Sequence, residues 1–209
     1  MKNLILIRHP LIQRDLTVLR NRETPSNVFR SVLRRIASIM AYEVTSDLDT
    51  KTIGVVTPLE RTEGHAMVDP IILVPILRAG LGLVGGFVEV LPDARVGHIG
   101  LYRDEVTLNP VDYYLKFPRK LGRALVILLD PMLATGGSAT SAVTVLKERG
   151  AKKIRFVSLV AAPEGVKALR RRHPGIRIYT CALDRELNEK GYILPGLGDA
   201  GDRMFGTAE

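Results

Sequence analysis

Asp130 closes the apolar run "RALVILLD", and a few residues later the chain passes through Thr135, Gly136, Gly137 and Ser138 into a helical stretch. Small residues, two adjacent glycines and two hydroxyls at a helix start offer free backbone N–H groups and the positive end of the helix dipole. Together these hold a terminal phosphate. A carboxylate cannot bind that phosphate, but beside a phosphate cradle it suits vicinal hydroxyls or a metal. Phosphate and sugar diol read by one short loop describe a ribose 5-phosphate. The competing structural reading makes Asp130 a helix N-cap. The loop lacks the lysine of G-x-x-x-x-G-K-[ST], which excludes a nucleoside-triphosphate P-loop.

A second glycine loop follows the apolar run "IILVPIL". Gly80, Gly82 and Gly85 satisfy G-x-G-x-x-G, with Asp104 and Glu105 further along. Alone this is a weak sign of a dinucleotide site, because any strand-to-helix turn uses glycine for close packing. The loop opens with Arg78, a cation that a dinucleotide fold does not need. At a strand's carboxyl end it faces the crevice where α/β ligands bind, and its planar fork suits a pair of pyrophosphate oxygens.

The elements that carry these loops have a clear rhythm. Ile71–Leu77, Ala94–Tyr102, Arg123–Asp130, Lys153–Ala162 and Ile176–Leu183 read as strands. Helical patterns separate them: residues 79–91, Gly137–Arg149 closed by Gly150, and Pro163–Arg172. Continuous apolar strands alternating with helices predict an α/β fold with a doubly wound, mainly parallel sheet flanked by helices. A longer helix precedes them over Ser26–Glu43, with Ser26 as N-cap. Two segments depart from the rhythm. Tyr102–Pro118 is polar and turn-rich, and we expect a hairpin-like lid, mobile without ligand. Gly191–Thr207 is a tail crowded with glycine and acid.

The chain has 209 residues, which suits a single domain over 1–209. No apolar run is long enough to span a bilayer or to form a signal-peptide core, and the single cysteine, Cys181, agrees with a cytoplasmic protein. Cys181 reads as a small core residue of a strand. A net charge of +8 and a pI near 9.8 favour anionic partners. The densest basic run, "ALRRRHPG", reads as a solvated helix end.

"DPMLATGGS" resembles the segment by which type I phosphoribosyltransferases bind phosphoribosyl pyrophosphate (PRPP). With "VPILRAGLG", "YRDE", "LVAAPEG" and "GYILPGLGDAGDRMFGT" in the same order, the chain resembles the uracil phosphoribosyltransferase family from His9 to Thr207. Many members of the wider superfamily carry two adjacent acids where this chain has Asp130 followed by Pro131. The division of ribose hydroxyls and metal among the remaining acids stays open.

The resemblance implies transfer of ribose 5-phosphate from PRPP to N1 of uracil, giving UMP and pyrophosphate in pyrimidine salvage, with Mg²⁺ bridging the pyrophosphate oxygens rather than held by a dedicated protein site. It implies Arg78 and Arg103 as pyrophosphate cations, and PRPP contacts from Asp130 through Pro131, Met132, Leu133 and Ala134 to Ser138. Arg78, Arg103, Asp130 and Asp199 form the catalytic set. In the tail, Ile193, Gly198, Asp199 and Ala200 offer the backbone groups that match one edge of uracil. Asp199 also reaches toward ribose or metal, while Asp202 and Arg203 either act directly or pair to hold the tail. The implied partners are uracil and PRPP, GTP as a candidate activator, and further copies of the chain in a dimer or tetramer, with the N-terminal helix as an interface. Nucleic acid and membrane are not among them. Two other classes compete. One is a nucleic-acid-binding regulator on the same fold, permitted by the basic balance but lacking a helix-turn-helix or RNA-reading aromatics. The other is a dinucleotide-dependent oxidoreductase built on Gly80, Gly82 and Gly85.

Overall fold

The computed structural model describes residues 3–103 and 110–207, with the side chains of residues 102, 103 and 110–112 outside that description. The chain opens with strand β1 (Leu4–Leu6), helix α1 (Pro10–Arg20) and helix α2 (Ser26–Thr45). Phe29, Leu33, Ile36, Met40 and Val44 form the buried stripe of α2 at helical spacing. Ser26, expected as its cap, instead takes the first helical position, behind a Pro25 cap that makes no side-chain hydrogen bond. A hairpin follows, β2 (Thr50–Val56) and β3 (Arg61–Met67), antiparallel and largely exposed.

The α/β part contains β4 (Ile71–Leu77), α3 (Leu81–Val90), β5 (Arg95–Val96), β6 (His98–Arg103) and β7 (Pro110–Lys116). After a single 3₁₀ turn come β8 (Leu125–Leu129), β9 (Met132–Leu133), α4 (Gly137–Glu148), β10 (Lys153–Ala161), α5 (Pro163–Arg172) and β11 (Arg177–Leu183). The tail adds β12 (Glu186–Leu187), β13 (Ile193–Leu194) and α6 (Ala200–Phe205). The main sheet runs β1-β11-β10-β8-β4-β6-β7, with β5 beside β4 and β9 beside β10. All its pairings are parallel except β6 with β7. The strand expected over Ala94–Tyr102 is interrupted at Gly97, whose N–H bonds the Leu73 carbonyl between β5 and β6.

Each central strand buries both faces. In β8, Leu125, Ile127 and Leu129 join the core beneath α1, α2, α3 and α6, while Val126 and Leu128 join the one beneath α4 and α5. That is the period-2 alternation of a strand covered on both sides, and it accounts for the continuous apolar runs. The doubly wound α/β expectation is met. Gly150 ends α4 as expected: at φ 91° its N–H reaches the Lys147 carbonyl and the Ala151 N–H reaches that of Leu146. The excursion from Tyr102 is entered by an antiparallel pair, so a hairpin is present there. Residues 104–109, on which the lid reading falls, lie outside the described residues.

From β4 the chain winds outward through β5 and β6; from β8 it winds the other way through β10 and β11. β4 and β8 are neighbours, so the strand order reverses between them. The loops leaving their carboxyl ends carry Arg78 and Asp130. A crevice at this switch point is where ligands bind in open α/β sheets.

Candidate active site

Asp130 stands at the end of β8, its N–H bonded to the Val157 carbonyl at 3.1 Å. Its Oδ1 accepts the Met132 N–H at 3.3 Å in a local turn. It is not the cap of α4, which begins only at Gly137, so the competing N-cap reading is overturned. Gly136 is the residue before α4, at φ 82°, and a Cβ there would lie 2.8 Å from the Gly165 carbonyl oxygen. Only glycine serves where this loop turns left-handed while pressed against α5. Thr135 and Ser138 are exposed, and the Thr135 hydroxyl accepts the Gly137 N–H at 3.4 Å. Pro131 and Leu133 turn inward, and their carbonyls accept backbone N–H groups of Leu159, Val160 and Ala162.

The tail comes up against this strand end. The short β12–β13 hairpin delivers Ile193, and the loop then passes through Gly198, at φ 78°, into α6. Asp199 caps α6, accepting the Asp202 N–H at 2.9 Å. A cavity of about 260 Å³ lies between the two parts. Asp130, Met132 and Ala134 line it from the strand end, and Ile193, Gly198, Asp199 and Ala200 from the tail. Thr135, Gly136 and Gly137 line a separate groove beside it. Arg103 is the last residue of β6, and its side chain lies outside the description.

Two carboxylates facing one cavity raise the proton affinity of at least one. Burial pushes the Asp130 carboxyl up to about 7; the Met132 N–H opposes this and the nearby Asp199 charge adds to it. Arg78 leaves β4 through a cis peptide from Leu77, and its Nη2 meets Asp202 Oδ1 at 3.1 Å. The Asp202–Arg203 pair, one of the two readings of these residues, is therefore not what holds the tail. Arg203 donates instead to the carbonyls of Leu19, Leu197 and Asn21.

Ala79, Gly191, Tyr192 and Gly201 also line the cavity and were not singled out in the sequence. Tyr192, next to Ile193, carried the one available signal, an aromatic beside the backbone expected to read the base. Arg171 and Arg172 are exposed, as a solvated helix end should be, yet they border the groove with Gly136 and Gly137. In the other glycine loop, a Cβ on Gly80 would strike the Leu129 carbonyl, and one on Gly82 would strike Met204 and Leu33. Close packing accounts for both.

Comparison with known proteins agrees with this fold. The structure of adenine phosphoribosyl transferase from Trypanosoma brucei superposes with a TM-score of 0.60 at 13% identity, covering 91% of this chain and 88% of that one, a likeness of fold. The AQ2163 protein of Aquifex aeolicus superposes with a TM-score of 0.92 at 35% identity, covering 98% of this chain and 99% of that one. The sheet order and the strand-end crevice define the type I phosphoribosyltransferase class. Within it, the family model for uracil phosphoribosyltransferase matches residues 6–207. The uracil phosphoribosyltransferase of Acholeplasma laidlawii is 52% identical over 207 residues, 99% of this chain and 100% of that one. That of Dictyoglomus thermophilum is 52% identical over 204 residues, 97% and 99% of the two chains. The chain belongs to the uracil phosphoribosyltransferase family and is a pentosyltransferase. No described helix is long and apolar enough to cross a membrane.

Proposed function

We propose that the cavity at the ends of β4 and β8 carries out the family's reaction, transfer of ribose 5-phosphate from PRPP to N1 of uracil with release of pyrophosphate. The observation that carries this is that Asp130 and the Ile193 to Ala200 tail share one cavity beside the phosphate loop. The N–H groups and hydroxyls from Ala134 to Ser138 receive the 5-phosphate, and Asp130 accepts from the ribose hydroxyls. As the C1–O bond breaks toward an oxocarbenium-like state, charge grows on the leaving pyrophosphate. Arg78 and Arg103 stabilise it. Backbone groups of Ile193 and Gly198 to Ala200 hold uracil against C1. Cytosine would set an amino group where a carbonyl belongs, leaving donor against donor.

Among the described residues no group of three or more His, Cys, Asp or Glu is placed to hold a metal by itself. Asp130 and Asp199, two carboxylates on one cavity, are the donor set Mg²⁺ takes when substrate phosphates supply the rest. Bound there, Mg²⁺ supplies charge neutralisation on the pyrophosphate.

The whole chain works as one domain in the cytoplasm, as a homo-oligomer. The apolar stripe of α2 packs inside the subunit, so the hairpin β2–β3 is the better interface: Val56 is 73% and Leu59 95% exposed. GTP remains a candidate activator.

A kinetic split tests the division of the site. Ser138→Ala should raise KM for PRPP and Gly198→Ala KM for uracil, each by about tenfold and each sparing the other substrate. Both variants acting on the same substrate would refute the assignment.

A further inference from the structure

The loop that would read uracil is held from behind by two arginines from opposite ends of the chain. Arg20, in the last turn of α1, makes a bidentate pair with Asp184, Nη1 to Oδ2 at 2.8 Å and Nη2 to Oδ1 at 2.6 Å. Asp184 is buried, its side chain 6% exposed, and Arg20 is 25% exposed. The same Nη1 donates to the Gly196 carbonyl at 2.6 Å, and Asp184 Oδ2 accepts the Gly196 N–H at 2.9 Å. Both polar groups of Gly196 are thus fixed by one ion pair. One residue further on, Arg203 Nη1 donates to the Leu197 carbonyl at 2.7 Å. Its guanidinium also ties the carbonyls of Leu19 and Asn21 and lies 4.7 Å from the Phe29 ring centre.

In a trans peptide the C=O and the following N–H point in opposite directions. With the Leu197 carbonyl fixed on Arg203, the Gly198 N–H must point away from that guanidinium. With the Gly196 carbonyl fixed on Arg20, the same holds for the Leu197 N–H. Gly198 lines the cavity; Arg20 and Arg203 do not. We infer that Arg20, through Asp184 and Gly196, and Arg203, through Leu197, are positioning residues that aim the backbone of the uracil loop without touching substrate.

This rests on the placement of uracil at Ile193 and Gly198 to Ala200. It makes the end of α1, far from the tail in sequence, a determinant of base affinity. Guanidinium is the group for the task, since its planar fork spans several fixed acceptors while an ammonium is a point charge.

The test is steady-state kinetics of the full-length enzyme with Arg20→Ala, Arg20→Lys, Arg203→Ala and Arg203→Lys, varying uracil at saturating PRPP and the reverse. The Ala variants should raise KM for uracil by about tenfold or more, with KM for PRPP and kcat within about threefold of wild type, the mark of lost binding to one substrate. Arg20→Lys should recover most of the loss, because an ammonium still meets Asp184. Arg203→Lys should recover little. Where an Ala variant does not fold, the two Lys variants decide by this same contrast. An unchanged KM for uracil, or both KM values and kcat shifting together with the thermal midpoint, overturns the inference. Gly198→Ala separates the two levels. If it leaves KM for uracil unchanged, the base-site placement is wrong; if it raises KM while the arginine variants do not, only the positioning role fails.

Discussion

At the scale of single residues, protonation decides what the site can do. In the role proposed above, Asp130 must be ionised to accept from two ribose hydroxyls, yet burial and the neighbouring Asp199 push its pKa up to about 7. The value of kcat/KM for PRPP, which reports the free enzyme, should therefore rise with pH through a limb near 7. Asp199→Asn removes a raising influence and should move that limb to lower pH, while Asp130→Asn should abolish it. A pH profile of the three proteins checks both. The same shift acts on stability with the opposite sense. Because the folded-state pKa lies above the ordinary 3.8, the stability it contributes is present below about pH 4 and is lost as pH rises through about 7. Arg78→Ala should lower kcat by about a hundredfold, the usual loss for one donor to a developing anion. Its thermal midpoint should barely move, because the Arg78–Asp202 pair is half-exposed and such pairs contribute about 0–1 kcal/mol. Cys181 is 3% exposed and burial pushes its thiol up to about 12, so a thiol reagent should label it only after unfolding. The sequence exposed the chemistry of Asp130 and Arg78 through their places at the ends of apolar runs. It pointed to Arg203 only as acting directly or pairing with Asp202; the carbonyls that in fact bind it belong to residues near position 20 and position 197 and carry no side-chain signal.

At the scale of elements, legibility followed burial. β4, β8, β10 and β11 bury both faces and read directly as apolar runs. The hairpin β2–β3 was not recognised, because strands exposed on both faces have no apolar periodicity to detect. Helix α1 was not assigned either, although Ile12, Leu16 and Leu19 lie on one face; the buried Asp15 breaks its stripe. Asp15 is stabilised there by Arg35 and Arg14. The two-residue strands of the tail are below what any periodicity resolves. The phosphate loop makes a specific prediction. Gly136→Ala must place a side chain at φ 82° and against the Gly165 carbonyl. A left-handed alanine costs about 1–2 kcal/mol before any clash. The variant should melt several degrees lower and lose PRPP affinity more than uracil affinity, as calorimetry and titration would show.

At the scale of the whole molecule, an isolated two-stranded hairpin is marginal in water, and this one presents Ile53, Val55, Val56 and Leu59 outward. The homo-oligomer proposed above would cover it with a second copy. Val56→Glu with Leu59→Glu should convert the proposed oligomer to monomer in sedimentation; an unchanged molecular mass would remove the hairpin from the interface. Net charge also acts globally. With +8 on the chain and a polyanionic substrate, kcat/KM for PRPP should fall as salt is added. The proposed seat of the reaction is the cavity that Asp130 shares with the tail. The most direct measurement is to incubate the protein with PRPP and Mg²⁺ and each free base in turn, with and without GTP, and to follow nucleotide and pyrophosphate together. UMP and pyrophosphate in equal amounts from uracil, and no nucleotide from cytosine or the purines, is the predicted result. Nucleotide from another base, or none from uracil, would contradict it.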